Sequence, residues 1–75
     1  MKVDERWVLK SRFGYYGGVT GKCDKPIRWL KRPRMACKYP LRCAGEDIMT
    51  LLMELMGYDE SIDELAVVPL KEVQT

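Results

Sequence analysis

The chain has 75 residues, 47% of them apolar and 32% charged, with a formal net charge of +2. That is apolar material for one folded domain covering residues 1–75, and it argues against disorder; no apolar run approaches the roughly 20 residues of a membrane span. The small net charge conceals a division: residues 1–45 hold 12 Lys and Arg against 3 acids, a balance of +9, and residues 46–75 hold 1 Lys against 8 acids, a balance of −7.

The opening MKVDERW has charges where an export signal needs an apolar core, which predicts a cytoplasmic protein. Glu5 to Arg12 reads as a strand, with Trp7 and Leu9 alternating against Val8 and Lys10. Phe13-Gly14 is a turn signal, and Tyr15, Tyr16 and Val19 form a second strand, so the two make an antiparallel hairpin. Gly17-Gly18 interrupts the second strand and predicts a bulge or a close backbone approach. Residues 20–26 are loop in composition. Ile27 to Leu30 reads as a third strand, Ile27 and Trp29 sharing one face and Arg28 and Leu30 the other. Pro33 opens a short helical turn over Arg34 to Lys38 that points Ala36 and Tyr39 inward.

Glu46 to Tyr58 carries the one sustained helical period. Ile48, Leu51, Leu52, Leu55 and Met56 form a single stripe, and the helix begins as early as Leu41. Glu46 and Asp47 are assigned to its first turn, where carboxylates favour the helix dipole. Gly57 is placed to end it. Residues 58–64 form an acidic loop anchored by Ile62. Leu65 to Leu70 is a nearly continuous apolar run, which reads as a central or doubly covered strand ending at Pro69 and pairing with the first strand. Lys71 to Thr75 is a tail. The expected fold is α+β: a small antiparallel sheet of three or four strands with one main helix packed on one face, in the order β-β-(β)-α-α-β.

The cationic stretch Lys22, Lys25, Arg28, Lys31, Arg32, Arg34, Lys38 and Arg42, interleaved with Trp29 and Tyr39, suits a phosphate backbone with stacked bases. It equally suits an acidic protein surface, or a solvated face. Of these, Arg28, Lys31, Arg32, Arg34, Lys38 and Arg42 are the candidate binding residues. Tyr16 joins them because adjacent strand tyrosines face opposite ways and one is expected to be exposed as an interface anchor. Cys23, Cys37 and Cys43 are an odd number without a CxxC pair, so they read as reduced thiols with Cys37 and Cys43 partly buried; a three-cysteine zinc site completed by Asp24 is the sharper alternative. No histidine is present, and no nucleophile has an evident base beside it in sequence, so neither catalysis nor a cofactor is expected.

Five segments carry a resemblance: Trp7 to Lys10 (WVLK), Gly14 to Gly18 (GYYGG), Arg34 to Tyr39 (RMACKY), the acidic helix Glu46 to Tyr58, and Glu64 to Leu70 (ELAVVPL). In this order the chain resembles short accessory proteins of phages and prophages. The resemblance implies a host-takeover or anti-defence factor, anti-CRISPR inhibitors included, that binds a bacterial host protein or nucleoprotein complex without catalysis, as monomer or dimer. It transfers no functional residue to this chain. The alternative is a nucleic-acid-binding accessory protein using residues 22–42.

Overall fold

The computed structural model describes residues 5–73, so the opening four residues and the last two of the tail lie outside the described residues. Four strands, β1 (Trp7–Ser11), β2 (Gly14–Val19), β3 (Ile27–Leu30) and β4 (Ala66–Pro69), form one sheet in the order β3-β2-β1-β4. Every neighbouring pair is antiparallel. Helix α1 (Arg42–Met56) packs on one face, making the fold α+β. The last strand pairs with the first as expected, but it sits at the sheet edge rather than in its centre.

The β1–β2 hairpin closes through Arg12 and Phe13, with Ser11 opposite Gly14. Ser11 is buried, and its hydroxyl is satisfied locally: it accepts from the Phe13 N–H at 3.0 Å and donates to the Gly14 carbonyl at 3.3 Å. The bulge expected at Gly17-Gly18 is present as a register shift between Tyr16 and Val19 against β3. A Cβ on Gly17 would lie 2.6 Å from Leu30 Cδ1, so backbone and neighbour approach closely there.

Beyond this hairpin β1 and β2 diverge, and the segment from Cys37 to Tyr39 enters the gap. The Cys37 N–H donates to the Tyr16 carbonyl at 3.0 Å, and Trp7 and Tyr39 exchange backbone bonds of 2.7 and 2.8 Å. Pro33–Met35 forms a 3₁₀ turn just before it, shorter than the expected helical turn. Ala36 is buried and Tyr39 half-buried, both inward as the sequence predicts.

Two apolar clusters follow from the pleat. Leu9, Tyr16 and Ile27 meet Leu52 on the α1 face. Val8, Ala36 and Leu70 meet on the opposite face, beneath the 3₁₀ turn and α2 (Leu70–Val73), with Tyr15 and Val68 against them. The expected tail is thus partly a helical turn, and the sheet is covered on both sides.

Helix α1 starts at Arg42, so its first turn holds no acid, and Glu46 and Asp47 belong to the second turn, away from the dipole end. Gly57 closes the helix at φ 76°, and the Leu52 carbonyl accepts from both Gly57 and Tyr58. The stripe is only half used. Its inward row is buried Gly45 and Leu52 with half-buried Ile48 and Met49, while Leu51, Leu55 and Met56 are exposed. Gly45 explains the rotation: a Cβ there would stand 2.9 Å from Val67 Cγ1, so the bare backbone lets the helix settle on this side.

Candidate binding surface

β3 orients the centre of the cationic stretch. Ile27 is buried on the α1 face and Trp29 packs there too, so the intervening Arg28 points from the other face, exposed. The chain then turns through Lys31 and Arg32 into the 3₁₀ turn, whose Arg34 is exposed. Ala36 pins that turn to the sheet from below. Among the described residues no hydrogen bond or ion pair engages the side chains of Arg28, Lys31, Arg32 or Arg34. Residues 25–45 contain seven Lys or Arg and no acid, so none is supplied locally.

The remaining expected site residues lie apart from these four in role. The half-buried Lys38 donates its ammonium to the carbonyls of Arg34 and Ala36, closing the end of the 3₁₀ turn. Arg42 opens α1, lies 3.9 Å from Glu46 and places its guanidinium 5.9 Å from the Trp7 ring centre. Tyr16 is a correction: at 8% exposure it is core, and desolvation by burial, with Cys37 beside it, raises its hydroxyl pKa. It packs edge-on to Trp29 at 6.2 Å, because the pleat turns Tyr15, not Tyr16, away from α1.

Met35, absent from the expected set, stands 69% exposed between Ala36 and Arg34. Its position in a turn gave no periodic signal. Lys10 was also missed. It pairs with Tyr15, which pairs with Leu30, so the three cross the same sheet face as Arg28. The alternation of Lys10 with Leu9 and Ser11 was the available signal.

The acidic loop proves to be self-organised. Asp59 Oδ1 accepts from the N–H groups of Ser61 and Ile62 at 2.9 and 2.8 Å, and Asp63 Oδ2 accepts from the Asp59 N–H at 2.8 Å. Asp63 also lies 3.5 Å from Arg12, whose N–H donates to its carbonyl. Leu65 rather than Ile62 anchors the loop: Leu65 is buried and Ile62 is 68% exposed. Above the hairpin, Phe13, Trp29 and Tyr58 form an aromatic triangle with centroids 5.7–6.3 Å apart, and Arg12 stacks on Phe13 at 4.8 Å.

Cys43 is exposed rather than partly buried, because it faces out from the first turn of α1; Cys23 is exposed and Cys37 half-buried. Among the described residues no group of three His, Cys, Asp or Glu is placed to hold a metal ion, and no helix is long and apolar enough to cross a membrane. Compared with known proteins, the chain matches no family model, no curated relative and no solved structure.

Proposed function

We propose that this chain acts by binding rather than catalysis, docking Arg28, Lys31, Arg32 and Arg34 onto an acidic surface of a bacterial host complex and occluding it. The observation that carries the reading is that these four neighbouring cations have no partner among the described side chains, although the chain holds 11 acids. Two of those acids are committed elsewhere, Asp59 and Asp63 to their own loop. Exposed Met35 within the same turn adds an adaptable apolar contact amid the charge. Charge of one sign around a small apolar anchor steers encounter and fixes register with an oppositely charged partner. An inhibitor acting in the bacterial cytoplasm, of the anti-defence kind that the sequence resembles, needs no more than this.

A nucleic-acid target is the second reading. It is favoured by half-exposed Tyr15 beside Lys10 on the face that carries Arg28, since a ring among cations can stack a base. Salt separates the two. Four neutralised phosphates give a log–log slope of roughly −3 to −4 that is indifferent to base sequence. A protein target gives a shallower loss and saturates at fixed stoichiometry. The test is titration of the wild-type chain against nuclease-treated and untreated host fractions over a salt series. A partner lost on nuclease treatment, with the steep slope, replaces the first reading by the second.

A further inference from the structure

The helix register leaves a groove beside α1, on the same face of the sheet. Because α1 seats on the Gly45 side, Val19, Leu51, Leu55 and Met56 stay 67%, 48%, 75% and 37% exposed. They flank a floor made by Tyr16 and Leu52. These side chains are grouped around one groove rather than scattered singly over the surface. Its two walls differ in charge. On α1, Asp47 and Glu54 lie one turn either side of Leu51 on the outer rim, and both are exposed. Beyond the strand wall, the loop leaving Val19 and returning to Ile27 carries exposed Lys22 and Lys25 against Asp24, and Asp24 and Lys25 border the neighbouring hollow of Phe13, Trp29 and Tyr58. Thr20 holds that loop closed, its N–H donating to the Pro26 carbonyl at 2.9 Å and its hydroxyl to the Lys25 carbonyl.

We infer that this groove is a self-complementary interface that takes a second copy of the chain. A two-fold axis running along the groove lays the α1 wall of each copy over the strand wall of the other. Leu51 and Leu55 of one copy then enter the partner's groove. The same rotation brings Asp47 and Glu54 towards the partner's Lys22 and Lys25, twice per dimer. A two-fold across the groove would instead oppose acid to acid. Arg28 points from the opposite sheet face, so the dimer presents two cationic surfaces outward and the inference stands independently of their target.

The test is sedimentation equilibrium of the full chain under reductant, which removes disulfide-linked species of the exposed Cys23 and Cys43. The wild type is expected to dimerise reversibly. Leu51→Glu/Leu55→Glu should be monomeric with unchanged circular dichroism, since both side chains already face solvent. Asp47→Lys/Glu54→Lys should raise the dimer dissociation constant by about tenfold or more, the effect of about 1.4 kcal/mol. Adding Lys22→Glu/Lys25→Glu to it should recover most of the loss. This charge series keeps the test valid if the leucine variant fails to fold. A wild type that is monomeric at every concentration, a folded leucine variant that still dimerises, or a charge swap without recovery would each overturn the inference.

Discussion

Tyr39 is held half-buried between β1 and α1, with both of its backbone groups bonded to Trp7. Desolvation by burial, then Cys37 and Tyr16 nearby, pushes its pKa from 10.0 up to about 12. Between those values the folded state retains a proton that the unfolded state has lost. The resulting stability is complete below pH 10 and declines as pH rises towards 12. Unfolding midpoints measured across this window should therefore fall, and Tyr39→Phe should fall less steeply; parallel curves would place the hydroxyl in water. Leucines one turn apart on α1 offer a sharper contrast. Leu52 is 4% exposed within the main cluster, so Leu52→Ala should cost about 2–5 kcal/mol. Leu55→Ala should stay within about 0.5 kcal/mol in the isolated monomer. Urea unfolding of the two variants at low protein concentration measures both, and equal losses would mean that the helix presents its other side to the sheet.

At the scale of elements, the 58–65 loop depends on its aspartates as acceptors more than as charges. Asp59→Ala removes the acceptor of two backbone N–H groups, and by analogy with a lost helix cap should cost about 0.5–2 kcal/mol. Glu60→Ala, at an exposed position with no side-chain partner among the described residues, should be silent. Thermal melts at fixed pH compare them. This role was hidden in the sequence, where acids four apart read first as charge and only geometry shows which carboxylate reaches which N–H. The strands were more legible. Period-two alternation set Ile27 and Trp29 against Arg28, and Pro33 marked the end of that segment, as Gly57 marked the end of the helix. The helix itself was legible, but not its orientation. Gly45, Ile48, Met49 and Leu52 share the spacing of an apolar face with Ile48, Leu51, Leu52 and Leu55. The rows share Ile48 and Leu52 and differ in Gly45 and Met49 against Leu51 and Leu55; the lack of a side chain at Gly45 carries no hydropathy signal but sets the packing distance. The same alternation could show that one of Tyr15 and Tyr16 faces α1; choosing which required the pairing with β3.

The whole molecule separates its surfaces. The cations from Arg28 to Arg34 leave one side of the sheet and the turn beyond it, while α1 and its groove occupy the other. Basic residues cluster in sequence because they share one continuous stretch from β3 to the 3₁₀ turn, and that much of the site could be read before folding. Folding divides the stretch: Lys38 is drawn onto backbone carbonyls and Arg42 onto Trp7 and Glu46, while Arg28, Lys31, Arg32 and Arg34 have no side-chain partner among the described residues. Reversing two of these should leave the core untouched, and binding through these exposed charges should weaken as salt is raised, because they are largely screened beyond the Debye length of about 8–10 Å in physiological salt. The most direct measurement is a parallel pulldown from nuclease-treated bacterial lysate with the wild-type chain and Arg32→Glu/Arg34→Glu, each shown to be folded by its melting curve. The wild type should retain a discrete protein at fixed stoichiometry and the double variant should lose it. A folded double variant that retains the same partner, with unchanged affinity and salt dependence, would contradict the assignment of the cationic face as the binding surface.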